Sequence, residues 1–170
     1  CVQRGWGDSS PFYYKDLKMA ITTALCTSFK TELLGAIHDL DSHTIKLALI
    51  KPSSSGTYDK TTTNYSDVTG NSDETTGTNY SAGGQTLDNI SISSDASSGR
   101  AFVDIDDEVF SNVTCQAEGC IIYNSSASNK AIAVISFGGT ISATAGDLTV
   151  QFPAIGSGGA TAIIRLDPPS

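Results

Sequence analysis

Two imidazoles and two carboxylates fall within one short stretch, His38-Asp39-Leu40-Asp41-Ser42-His43. Imidazole nitrogens and carboxylate oxygens are both donors to transition-metal ions. Their spacing matches no established zinc pattern. A helix-to-strand connection accounts for the same residues, because Asp forms turns and His suits the negative end of a helix dipole. No metal ligand is therefore assigned. A second acidic stretch, Asp104-Ile105-Asp106-Asp107-Glu108, offers oxygens to Ca²⁺ but lacks the looped Gly and closing bidentate Glu of an EF-hand. Neighbouring strand residues point to opposite faces, so a solvated acidic strand end is expected.

Nucleophilic catalysis needs a His held between a nucleophile and an acid. The chain has 2 histidines, both beside one predicted helix end. No Gly-x-Ser-x-Gly elbow surrounds a serine, and no Gly-rich phosphate loop leads into Lys-Ser/Thr. Paired carboxylates could cleave glycosides, but the acidic residues cluster in short exposed runs. The expectation is a non-enzymatic protein with no catalytic residue, no cofactor and no metal.

Cys115 and Cys120 could staple a hairpin if Gln116-Ala117-Glu118-Gly119 were a turn. On one continuous strand an offset of five puts them on opposite faces, too splayed to bond. Free thiols are expected, with Gly119 as a bulge or close-packing point, and Cys26 as core. Asn-x-Ser/Thr triplets occur at Asn64, Asn79, Asn89, Asn112 and Asn124. In a chain this rich in Asn, Ser and Thr they arise by chance.

These residues must be placed by their elements. Ile21, Leu25, Phe29, Leu33, Ile37 and Leu40 recur every three to four residues and predict one amphipathic helix near the N-terminus. Ile45, Leu47 and Leu49 alternate, predicting a strand that Pro52 and Ser53-Ser54-Ser55-Gly56 end. Residues 53–86 hold few aliphatics and predict a long polar loop, the least ordered part of the chain. Within it Thr63-Asn64-Tyr65-Ser66 is echoed by Thr78-Asn79-Tyr80-Ser81, too few copies for a repeat architecture. From Leu87 onward short apolar alternations are separated by turn chemistry such as Gly138-Gly139 and Ala145-Gly146-Asp147. The fold class predicted is mainly β, an antiparallel sandwich or barrel with the helix packed on a sheet. The predicted core includes Leu25, Phe29, Leu33, Ile37, Leu47, Ile122, Val134 and Phe152.

Composition narrows the partners. The chain has 170 residues and a charged fraction of 16%, against roughly 25% in ordinary soluble domains. Net charge is −8, from 10 basic and 18 acidic residues. Phosphate binding needs clustered Lys and Arg, and here they are scattered, so neither nucleic acid nor an anionic membrane is an expected partner. Residues 19–167 are read as one β-rich domain. The aperiodic stretch 1–18 is read as a leader outside it, a translated upstream region before Met19.

Several stretches carry a resemblance: residues 19–30, His43-Thr44-Ile45-Lys46-Leu47-Ala48-Leu49 and Tyr80-Ser81-Ala82-Gly83-Gly84-Gln85-Thr86-Leu87. With them go Gly119-Cys120-Ile121-Ile122-Tyr123-Asn124, Asn129-Lys130-Ala131-Ile132-Ala133-Val134, Thr149-Val150-Gln151-Phe152-Pro153 and Ala162-Ile163-Ile164-Arg165-Leu166. In order and texture the chain resembles a family of small structural proteins of marine and environmental tailed phages. The resemblance implies a virion protein used in many copies, assembled in the host cytoplasm, docking on itself or on other virion proteins. The alternative is a carbohydrate- or surface-binding module, with Tyr58, Tyr65 and Tyr80 as stacking platforms.

Overall fold

The apolar runs of the second half become two strands far longer than the turn signals predict. In the computed structural model, which describes residues 20–168, β6 spans Glu108–Asn124 and β7 spans Lys130–Val150. They form an antiparallel hairpin closed by a 3-10 turn at Ser125–Ala127. The stretches Gln116-Ala117-Glu118-Gly119, Gly138-Gly139 and Ala145-Gly146-Asp147 are not turns. Each lies at or beside a register shift, where one strand bulges and then resumes pairing. Turns and bulges ask for the same residues, since both need positive φ. Ala145 (φ 47°) and Gly138 (φ 75°) supply it here.

Two shorter strands flank this hairpin. β1 (Ala24–Leu25) pairs with β7, and β2 (Ile45–Ile50) pairs with β6. β3 (Gln85–Thr86) then pairs with β2, giving a five-stranded sheet in the order β1-β7-β6-β2-β3. A second sheet has three strands, β4 (Ser91–Asp95), β5 (Arg100–Asp104) and β8 (Ile164–Leu166), in that order. All of these ladders are antiparallel. Strands take 44% of the chain and helix 13%, so the fold is mainly β and sandwich-like, as expected. Val103 and Ile164 of the smaller sheet join one core with Leu47, Ile121, Ile122 and Val134 of the larger.

The predicted helix is much shorter than its periodicity suggests. α1 covers Thr27–Leu34 and packs against β7. Ile21 instead forms a bridge to Tyr58, and Ala24 and Leu25 are strand. Thr22 and Thr23 favour extended backbone, and the ladder to β7 wins over the helical spacing. Gly35 ends the helix and Ala36 follows with φ 56°. Ile37 therefore falls outside the helix and is exposed, contrary to expectation, while Leu25, Leu33 and Phe152 are only half-buried. Phe29, Leu47, Ile122 and Val134 are buried as predicted. The expected leader, 1–18, lies outside the described residues. Among the described residues no helix is long and apolar enough to cross a membrane.

Close packing fixes two glycines. A Cβ on Gly119 would sit 2.5 Å from Ile135 O and 2.9 Å from Ile21, which is the close approach the sequence suggested. A Cβ on Gly84 would sit 1.8 Å from Leu47 O. Phe29 is the side chain through which α1 holds the sheet, and it is 1% exposed. Phe29→Ala is expected to cost about 3–5 kcal/mol in urea unfolding, because the pocket between helix and β7 cannot close over the loss. A cost under about 1 kcal/mol would show that α1 does not depend on this contact.

Candidate functional site

The polar segment 53–86 is not a structureless loop. It contains a short helix, α2 (Ser66–Gly70), with Val68 fully buried, and it meets β2 and β6 through Thr75 N to Leu49 O, Thr75 Oγ1 to Gln116 O and a Thr78–Thr114 bridge, while carboxylates order it internally. Asp73, 0% exposed, accepts from Ser55 N (3.0 Å), Gly56 N (2.8 Å) and Tyr58 Oη (2.7 Å), and pairs with Lys51 (3.3 Å). Asp67 accepts from Thr63 N (2.8 Å) and Asn64 N (3.2 Å). Glu74 accepts from Tyr65 Oη, from Tyr80 Oη at 2.9 Å and from Gly83 N at 2.6 Å. The two echoed Thr-Asn-Tyr-Ser tetrapeptides thus deliver their tyrosines to the two oxygens of one carboxylate.

This geometry places the three tyrosines considered as glycan platforms. Tyr58 is 1% exposed. Tyr65 stacks flat on Tyr123, with centroids 4.5 Å apart and planes at 6°. Tyr80 packs near Phe110 and also accepts Leu49 N at 3.0 Å. Burial pushes the phenols of Tyr58, Tyr65 and Tyr80 up, and the neighbouring carboxylates add to it. All three are structural struts.

The imidazole cluster is also built inward. His38 is buried past the end of α1, in edge contact with Phe29 at 4.9 Å. Its Nε2 lies 3.0 Å from Glu32 Oε2, and its Nδ1 lies 3.1 Å from Asn124 Nδ2. The same Asn124 nitrogen lies 2.9 Å from His43 Nδ1, while Asn124 Oδ1 accepts from Ala127 N at 3.0 Å. An amide nitrogen only donates, so both Nδ1 atoms accept, and His38 Nε2–H donates to Glu32. Lys130 donates to the other Glu32 oxygen. Burial works against the Glu32 charge, but the bonds from Lys130 and His38 outweigh it and hold the carboxyl below its ordinary value. Both ring nitrogens of His38 are engaged, so it brings no free base to its surroundings.

Those surroundings open onto an apolar cleft. A cleft of about 480 Å³ separates the end of α1 from the smaller sheet. Leu33, Ala36, His38, Asp39 and Leu40 line one wall. Ile92, Val103, Ile164 and Leu166 stand on the other, with Arg165. Cross-strand pairing of Ile92 with Val103 and of Val103 with Ile164 puts three aliphatics on one sheet face.

The remaining candidates are scattered. Asp104, Asp106 and Asp107 are exposed, with Asp106 accepting from Asn89 and Asp107 from Phe152 N, but Glu108 is buried rather than solvated. Burial, with Asp88 nearby, pushes its carboxyl up. Among the described residues no three His, Cys, Asp or Glu side chains converge on a metal position. Cys26, Cys115 and Cys120 are free and buried, as expected. Three of the glycosylation-like asparagines, Asn79, Asn89 and Asn112, adopt positive φ, which Asn tolerates. No family model matches the sequence, and no curated protein or solved structure matches it either.

Burial opposes ionisation of Asp73, yet the bonds from Tyr58, Gly56, Ser55 and Lys51 outweigh it and bring its carboxyl from 3.8 to about 2. A depressed carboxyl stabilises the fold above its unfolded value, and that stability is lost as pH falls from about 4 to about 2. The contribution is about 2 kcal/mol. Asp73→Asn should lower stability by about that much at pH 7 and flatten the acid limb of the unfolding curve. An unchanged acid limb would remove Asp73 as the anchor of this segment.

Proposed function

We propose that this protein is a non-enzymatic structural subunit that assembles with copies of itself, in the virion of a tailed phage. The observation that supports self-assembly is the outer edge of β7. β1 pairs with β7 only at Val134 and Ala133, and Ser136 N is taken by Thr23 Oγ1 at 2.9 Å. Beyond that, through residues 137–150, β7 has β6 on one side and no strand on the other among the described residues. Edge strands are ordinarily protected by charge, proline or brevity. This one is long, has no proline, and carries no charged side chain between Lys130 and Asp147.

Its bulges divide the edge into regular runs at 141–143 and 148–150. Short runs give weak individual contacts, suited to many copies held at high local concentration. The virion setting rests on the resemblance of residues 19–167 to tailed-phage structural proteins. The glycan-binding alternative draws no support from the tyrosines, which are committed internally. The net charge of −8 works against indiscriminate aggregation and leaves paired backbone as the specific attraction.

Light scattering of the full chain across a concentration series should show mass rising above the monomer. Thr144 and Thr149 are exposed on β7, so Thr144→Lys with Thr149→Lys should leave the circular dichroism unchanged and block association through that edge. The chain should also be present in many copies when purified virions of the encoding phage are quantified by mass spectrometry. A wild-type chain that stays monomeric, free and with virions, overturns the assembly reading. Absence from the particles removes the virion setting.

A further inference from the structure

Asn124 is 0% exposed, and both ends of its amide are committed. Nδ2 gives one hydrogen to His38 Nδ1 (3.1 Å) and the other to His43 Nδ1 (2.9 Å). Oδ1 accepts from Ala127 N (3.0 Å) and so caps the Ser125–Ala127 turn that joins β6 to β7. An imidazole nitrogen accepts only while it carries no proton. The arrangement therefore requires both rings neutral, each with its hydrogen on Nε2. A proton on either Nδ1 sets N–H against N–H. A half-turn of the amide answers it by bringing Oδ1 to the rings, but Nδ2 then faces Ala127 N, donor against donor, and the turn loses its cap.

We propose that Asn124 is a proton-responsive latch, in which the neutral His38–His43 pair and the capped hairpin turn go together and protonation of the pair uncaps the turn. His43 is the entry for the proton. It is half-buried, whereas His38 is buried with both ring nitrogens engaged. Once the amide has turned, its oxygen also faces His38 Nδ1, where only an N–H can meet it, so the second ring follows the first. The charges around the pair support this order of events, since a nearby opposite charge favours the charged form. From α1, Glu32 lies 3.0 Å from His38 Nε2, with its other oxygen held by Lys130 of β7. From the loop, Asp39 lies close enough to His43 for their charges to attract, its carboxylate accepting from Asp41 N, Ser42 N and Ser42 Oγ. Asp41 is exposed, residues 124–128 carry no charge, and Lys46 of β2 reaches toward Gly83. Each ring thus has one carboxylate beside it. His38, Asp39 and Leu40 form one wall of the apolar cleft, so the latch couples that wall to acidity. It acts within one chain and is independent of assembly through β7.

NMR of the full chain, titrated from about pH 8 to about pH 5, where imidazoles exchange their proton, tests this. Ring-nitrogen shifts should place the hydrogen on Nε2 of both histidines at the alkaline end. As the rings gain protons, the Asn124 side-chain NH2 signals should move with them. Ala127 N–H exchange, corrected for its intrinsic pH dependence, should speed up on the order of tenfold as one hydrogen bond is lost. His43→Gln leaves an amide oxygen to accept from Asn124 and no group to protonate, so Ala127 should stay protected over the same range. Asn124→Asp presents oxygen to both sides, and its turn should stay capped at the acid end. Rings that stay neutral throughout, or that gain protons while the Asn124 NH2 and Ala127 N–H do not respond, overturn the latch. A folded His43→Gln chain whose Ala127 opens as the wild type does overturns it as well.

Discussion

A β ladder has two edges and two faces, and each must be paired, covered or left to water. The long β6–β7 ladder sets that problem for this chain, and the remaining elements follow from which part of it they cover. Around residues 119–124 of β6 and 130–134 of β7 the solution is complete. β2 closes the β6 edge, β1 closes the β7 edge and α1 packs against β7, so Ile121, Ile122, Ile132 and Val134 reach zero exposure. Along the rest of the hairpin the chain covers only one face and one edge. Phe110, Val113, Cys115 and Ala117 are buried in alternation with exposed Ser111, Thr114 and Gln116. The β6 edge there receives bridges and bonds from Thr75 and Thr78. The β7 edge receives no strand among the described residues.

Closing the β6 edge requires a polar segment to behave as core-covering structure, and the buried Asp73 with half-buried Asp67 and Glu74 makes that possible. Segment 53–86 lacks the aliphatics to collapse on its own, so its order comes from backbone N–H groups and phenols converging on Asp67, Asp73 and Glu74. Such hubs are cooperative, because each bond orders a group that the others also need. A carboxylate buried without these donors would carry a desolvation penalty of several kcal/mol, so the network has to form nearly whole. The same logic governs Asn124, which ties His38 and His43 to the hairpin turn through one amide. Residue types that suggest catalysis are here used to hold the chain in place.

This also decides how much the sequence reveals. The β class, the strand at Ile45–Ile50, the free cysteines and the close packing at Gly119 are all legible, since each follows from period-two alternation or from one residue's geometry. The helix is overextended because Ile21 and Leu25 fit a helical period by position while their backbone pairs as strand. Turns are confused with bulges because Gly, Asn and Asp serve both. Segment 53–86 reads as disorder because a carboxylate's partners are set by tertiary contact and leave no local pattern. Adjacent Leu33 and Leu34 cannot both face inward from an eight-residue helix, and it is Leu34 that is left exposed.

The two uncovered surfaces differ in what they are made of. The β7 edge is extended backbone interrupted by bulges, and its exposed groups are main-chain N–H and C=O. The cleft is an apolar hollow whose shape is set by side chains of α1's end and of the smaller sheet. In a chain of 17.7 kDa, one stretch of strand edge and one apolar hollow are left to water among the described residues.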